Sequence, residues 1–324
     1  MLLQALIQVI GGFLLLVWGA DRLVAGASAT ARNLGVSPLI IGLTIVGFGT
    51  SAPEMVVSAV AAANGNPSLA VGNAIGSNIT NIGLVLGLTA IFYPLRVESM
   101  ALKREYPILM LIMLVTSWLM LDYQLTRFDG VLLIGGLVAL MVFMVNIGLK
   151  RPESDPLTHE FEAEIPTDMR TSHALMWLGV GLIVLPASSH FLVHGSITIA
   201  KFMGVSDAVI GLTLVAFGTS LPELAAAVTS AIKREDDIAI GNVIGSNMFN
   251  LLGVMGIAAS ISPLAIEPSL LRRDTAVMFV LTLLLLAFAW GINIRSGKIN
   301  RKEGGLLLLI YLSYMTMLLI KETG

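Results

Sequence analysis

Two glutamates, Glu54 and Glu223, are placed where an acid is costly. The stretch 35–63 carries Glu54 as its single charged residue, and 204–232 carries Asp207 at its edge and Glu223 in its middle before Lys233. Both stretches are long and apolar enough to lie in hydrocarbon, where an ionised carboxylate costs several kcal/mol unless something pairs with it. No Lys or Arg falls in the middle of any apolar stretch to do so. Either the acids hold protons or their partner is a mobile cation. Two such acids without fixed basic partners read as a cation site.

Their neighbours supply further oxygens. Gly47, Gly49 and Pro53 flank Thr50-Ser51, and Gly218 and Pro222 flank Thr219-Ser220. Gly and Pro together interrupt a helix and free backbone carbonyls, tolerated at membrane depth where the carbonyls line a cavity. Ser51-x-x-Glu54 and Ser220-x-x-Glu223 also match capping boxes, so the alternative is that each Glu caps a restarted half-helix. That alternative leaves unexplained why a helix restarts twice, at equivalent places. A second motif places Asn73, Ser77 and Asn81, and again Asn242, Ser246 and Asn250, at i, i+4, i+8 along one helical face. Gly72, Gly76 and Gly83 permit close helix approach, so Asn73 and Asn242 read equally well as interhelical hydrogen-bonding residues. Ser77, Asn81, Ser246 and Asn250 lie deeper in their spans and are the better ligand candidates.

Ligand number points to the ion. Calcium takes about six to eight oxygens in a flexible shell, whereas magnesium sheds its water reluctantly. Two bidentate glutamates with Thr50 and Thr219 reach the lower figure, and their two charges neutralise one Ca²⁺. Flanking carbonyls with Ser51, Ser77, Ser220 and Ser246 offer smaller adjacent sites for Na⁺.

The elements that must hold these residues repeat. Gly42 to Glu54 returns as Gly211 to Glu223, and Gly72 to Asn81 as Gly241 to Asn250, both at an offset of 169 residues. The register also holds at Gly35/Gly204, Pro94/Pro263, Glu98/Glu267 and Arg104/Arg273, and Asp129-Gly130 matches Glu303-Gly304 with five extra residues in the second half. Each half offers five spans, near 3–31, 37–63, 68–92, 102–121 and 128–148, then 174–201, 207–232, 237–261, 274–293 and 304–320. An odd number per half sends the second half into the membrane upside down, the plan of many secondary transporters. The expected fold is all-α: ten transmembrane helices as two inverted-topology five-helix repeats, 1–148 and 173–324, joined by a linker at 149–172.

Composition agrees. The chain is 56% hydrophobic and 12% charged, about half the charge of a soluble domain. A net charge of −2 gives no reason to expect nucleic acid, and the absence of cysteine excludes disulfides, thiolate metal sites and cysteine nucleophiles. Residues 1–20 lack a basic n-region and read as a retained span. With the N-terminus outside, thirteen Lys and Arg fall on the cytoplasmic side and five opposite, so the positive-inside rule puts both termini outside and the acidic linker inside. That linker reads as a solvated connector without the spaced ligands of an EF-hand.

The paired Gly-Thr-Ser-x-Pro-Glu and Gly-Asn-x-x-Gly-Ser-Asn motifs resemble the two alpha-repeats of the cation/calcium exchanger superfamily, and the whole chain is similar to its short bacterial sodium/calcium antiporters. The resemblance implies a ten-helix exchanger of a prokaryotic inner membrane, acting as a monomer. In it Thr50, Ser51, Glu54, Ser77 and Asn81 line the ion sites with Thr219, Ser220, Glu223, Ser246 and Asn250. The carbonyls of Gly47 and Ala216 join them. It further implies that the first and sixth helices slide across the other eight to alternate access. Asn81 and Asn250 are neutral where many relatives carry Asp, which leaves the site at −2.

The expected function is exchange of cytosolic Ca²⁺ for external Na⁺, with the lipid bilayer as the other partner and no cofactor. A Ca²⁺/H⁺ antiporter, with the glutamates as proton carriers, is the alternative within the class. A channel is the alternative outside it, though filter loops are missing. An enzyme is not expected, since neither HExxH nor Gly-x-Ser-x-Gly occurs. His190 and His194 are spaced i, i+4 without an evident third ligand, and read as a hydrogen-bonded interfacial pair rather than a metal site.

Overall fold

In hydrocarbon a backbone must satisfy its own polar groups, and the long apolar segments of this chain do so as helices. The structure, a computed structural model, describes residues 2–36, 47–96, 100–150, 169–290 and 297–323. In chain order the helices are α1 (Leu2–Asn33), α2 (Gly47–Thr50), α3 (Ala52–Ala63), α4 (Pro67–Phe92) and α5 (Met100–Leu119). There follow α6 (Arg127–Lys150), α7 (Thr171–Met203), α8 (Asp207–Lys233), α9 (Asp236–Ile261), α10 (Thr275–Trp290) and α11 (Arg301–Thr323). Among the described residues seven stretches, in α1, α4, α6, α7, α8, α9 and α11, are long and apolar enough to cross a membrane. The first part of the expected second span, 37–46, and most of the linker, 151–168, lie outside the described residues.

Burial sorts these helices into two shells. The apolar windows of α4 and α9 are 78% and 83% buried, whereas those of α1, α6 and α11 are 22–28% buried. The outer helices turn Leu3, Ile7, Val131, Val138, Leu309 and Ile320 outward. An apolar rim around a core that holds the polar side chains suits a lipid solvent.

Contacts recur at the sequence offset. Among the described residues four short strands, β1 (Leu95–Arg96), β2 (Gln124–Leu125), β3 (Leu264–Ala265) and β4 (Lys298–Ile299), form two antiparallel pairs. β1 pairs with β4 through Leu95↔Ile299, and β2 pairs with β3 through Leu125↔Leu264, its repeat-related counterpart. The long antiparallel crossing of α1 and α7 behaves likewise. A Cβ on Gly12 would press on Leu192 and one on Gly181 on Leu23; one on Gly26 would press on Ala174 and Leu178 and one on Gly195 on Ala5 and Val9. Each half thus clasps the other through the same residues used reciprocally.

Candidate cation site

The interruptions expected at Thr50-Ser51 and Thr219-Ser220 are present. α2 ends at Thr50 and α3 begins at Ala52; within α8 one helical run ends at Thr219 and the next begins at Leu221. Pro53 and Pro222 sit in the first turn of the restarted helices. Their missing N–H groups leave the Gly49 and Gly218 carbonyls without helical donors. The capping-box alternative does not hold: Ser51 and Ser220 stand at the N-cap positions, but neither side chain makes a capping hydrogen bond. The Ser51 hydroxyl instead donates to Ser246 Oγ on α9, at 2.9 Å.

Close backbone contact brings the two motifs together. Added Cβ atoms on Gly72 and Gly211 would collide with the carbonyl oxygens of Ala208 and Leu69, and one on Gly76 would lie 2.7 Å from Leu212 Cα. Only glycine lets α4 and α8 approach this closely. Across that contact Thr219 Oγ1 donates to Asn73 Oδ1 at 3.1 Å and lies 3.4 Å from Ser77 Oγ. The related contact has Thr50 Oγ1 donating to Asn242 Oδ1 at 3.0 Å and lying 3.3 Å from Ser246 Oγ. The Gly47 and Ala216 carbonyls accept from the same threonine hydroxyls, at 3.2 and 3.4 Å.

Glu54 and Glu223 are fully buried and within electrostatic reach of each other. Among the described residues neither pairs with a basic side chain. Ser246 Oγ donates to Glu223 Oε1 at 3.0 Å. Both Glu54 carboxylate oxygens, Glu223 Oε2, Ser220 Oγ, Asn81 Oδ1 and Asn250 Oδ1 have no hydrogen-bond partner among the described residues. A buried acceptor with nothing to accept from carries its full desolvation cost. Six such oxygens, three of them on carboxylates, are the donor set a hard cation takes.

The structure distinguishes the other named residues. Asn73 is engaged on both sides, accepting from Thr219 and donating to Ser58 Oγ at 3.3 Å, whereas Asn242 keeps a buried amide nitrogen without a partner among the described residues. His190 and His194 lie on an exposed face of α7, and no group of three or more His, Cys, Asp or Glu residues forms among the described residues. Sequence reasoning passed over Asn78 and Asn247, buried beside Asn81 and Asn250. It also passed over the π-helical turns that begin at Asn81 and Asn250. The Gly-Ser-Asn motif contained the first signal. Nothing in side-chain periodicity marks the second, although such turns favour functional positions.

A helical membrane core that gathers unpaired acids and neutral oxygens defines a protein that handles cations rather than one that makes or breaks covalent bonds. The family model described as sodium/calcium exchanger protein matches residues 4–146 and 173–320, and the chain belongs to that family of cation/Ca²⁺ antiporters. CaxA of Alkalimonas amylolytica, which carries the name of an antiporter, is 50% identical, the match covering 98% of this chain and 99% of CaxA. The inner membrane protein YrbG of Escherichia coli is 41% identical over 98% of this chain and 97% of its own length. Among solved structures, the sodium-calcium exchanger NCX_Mj soaked with 10 mM Na⁺ and 10 mM Sr²⁺ superimposes with a TM-score of 0.68. It is 33% identical, with 98% of this chain and 99% of that one covered.

Proposed function

We propose that this protein exchanges Ca²⁺ for Na⁺ across a prokaryotic plasma membrane by alternating access, moving Ca²⁺ outward at the expense of the Na⁺ gradient. Glu54 and Glu223 hold the Ca²⁺ between them, with Thr50, Thr219, Asn81 and Asn250 completing the shell. Ser51, Ser77, Ser220 and Ser246, with the Gly47 and Ala216 carbonyls, form the flanking Na⁺ positions. Asn73 and Asn242 stand behind the threonines. The observation that carries this reading is that, among the described residues, two buried glutamates lack basic partners while buried oxygens of Ser220, Asn81 and Asn250 in the same repeated motifs lack donors. The NCX_Mj relative was soaked with Na⁺ and with Sr²⁺, a larger ion of the same charge as Ca²⁺.

The architecture we infer is ten spans in two inverted five-helix halves, with both termini outside and the linker cytoplasmic. The reciprocal strand pairs and the reciprocal glycine contacts of α1 and α7 support it. Two opposed halves with one site at their junction can open to either side by moving one pair of helices, and α1 with α7 is a repeat-related pair packed closely against each other. An empty site of charge −2 does not cross, since the bare carboxylates have no counter-charge. A loaded site does, so the protein exchanges rather than leaks. Import of more than two Na⁺ per Ca²⁺ makes the cycle electrogenic.

Everted membrane vesicles test this. Ca²⁺ uptake follows an imposed Na⁺ gradient, persists when the pH gradient is collapsed, and responds to membrane potential. Uptake driven by a pH gradient and indifferent to Na⁺ would instead make the glutamates proton carriers.

A further inference from the structure

Four asparagine side chains at the crossing of α4 and α9 form a closed amide network. The Asn78 amide nitrogen donates to the Asn247 backbone carbonyl at 3.2 Å, and the Asn247 amide nitrogen donates to the Asn78 carbonyl at 3.4 Å. A backbone carbonyl only accepts, so both amides are fixed with nitrogen toward the opposite main chain. Their Oδ1 atoms must then point the other way, as acceptors. Each meets one further amide: Asn81 donates to Asn247 Oδ1 and Asn250 donates to Asn78 Oδ1, both at 3.1 Å. Asn81 and Asn250 have no freedom left. Their nitrogens each donate to the neighbouring amide, and their Oδ1 atoms are buried oxygens without donors among the described residues. All four residues are at most 1% exposed, so water offers no alternative partner.

We propose that Asn78 and Asn247 are positioning residues: by fixing the amides of Asn81 and Asn250, they make the site see two carbonyl oxygens and no N–H. The inference rests on the reading of Asn81 and Asn250 as ion ligands. An amide flipped end for end would aim hydrogens at a cation and repel it.

A double-mutant cycle on purified full-length protein, read by Ca²⁺ titration, separates positioning from mere structural support. Asn247→Ala should weaken Ca²⁺ binding about five- to tenfold, the weight of one orienting hydrogen bond. In an Asn81→Ala background the same change should have no further effect, because no oxygen remains to be aimed. An equal loss in both backgrounds would overturn the proposal, as would unaltered affinity in Asn247→Ala. If Asn81→Ala itself leaves affinity unchanged, the ligand reading fails and the positioning role falls with it. If Asn81→Ala weakens binding and Asn247→Ala does not, only the positioning role is lost. The mirrored pair, Asn78→Ala with Asn250→Ala, provides the cycle where an Asn247 variant does not fold.

Discussion

Thr50 and Asn242 lie 192 residues apart in sequence, yet Thr50 Oγ1 donates to Asn242 Oδ1 at 3.0 Å, and Thr219 repeats the bond to Asn73 at 3.1 Å. Each half therefore holds the other's threonine beside its own glutamate. Neither half builds the site alone. On the proposed exchange cycle, a cation at this junction would touch elements that belong to both halves.

Thr50→Val and Thr219→Val keep the shape and remove the donor to Asn242 Oδ1 and to Asn73 Oδ1, although Asn73 keeps a long 3.5 Å bond from Ser77 Oγ. Thr50→Val should cost about 1–3 kcal/mol of stability and Thr219→Val no more than that. Thr→Ser at either position should be close to neutral because the hydroxyl remains. Thermal unfolding of the four variants checks this, and a larger loss in Thr219→Val than in Thr50→Val would argue against this geometry.

Neutralising the acids should separate stability from binding. Glu54→Gln and Glu223→Gln remove a buried charge that has no fixed partner, so the ion-free protein should unfold at a higher temperature. Added Ca²⁺ raises the unfolding temperature of any protein that binds it only when folded. That rise should disappear in both variants, as a fluorescence melt with and without Ca²⁺ would show.

Helix contact around the site predicts a sharp contrast between two glycines. Gly72→Ala drives its methyl into the Ala208 carbonyl, whereas Gly135, on an exposed part of α6, meets nothing within 4 Å. Exchange rate in proteoliposomes should fall at least about tenfold in Gly72→Ala, as close-packed interfaces cannot yield cheaply. Gly135→Ala should keep full rate and gain about 0.5–1 kcal/mol of stability.

A fourth expectation concerns a helix end. Arg234 caps α8 with φ +70°, in the left-handed region, where the corresponding residue of the first half is Gly65 with φ +79°. A side chain in that conformation costs about 1 kcal/mol or more. Arg234→Gly should therefore raise stability in a chemical or thermal melt, and Arg234→Ala should not.

Much of this arrangement was legible in the chain because membranes restrict it so strongly. The glutamates stood out as lone charges in apolar stretches, and the Gly-Pro context of Ser51 and Ser220 announced broken helices that the structure contains. The helices follow the expected spans closely, as in α4, expected near 68–92 and observed at Pro67–Phe92. Other features could not be read. The Ser-x-x-Glu spacing suggested capping, but spacing does not reveal that Ser51 finds a better partner on α9 than on its own helix. Asn78 was hidden because its role depends on which helix crosses α4, a tertiary fact. The π-helical turns that begin at Asn81 and Asn250 leave no mark in the side-chain periodicity either.

The central claim is that Glu54 and Glu223 together hold one Ca²⁺ that Na⁺ displaces. Titration of purified protein with Ca²⁺, at low and at high Na⁺, examines it directly. The account predicts one Ca²⁺ per chain, weakened progressively by Na⁺ and lost when either glutamate is changed to glutamine. Ca²⁺ binding of unchanged affinity in both Glu54→Gln and Glu223→Gln would contradict it.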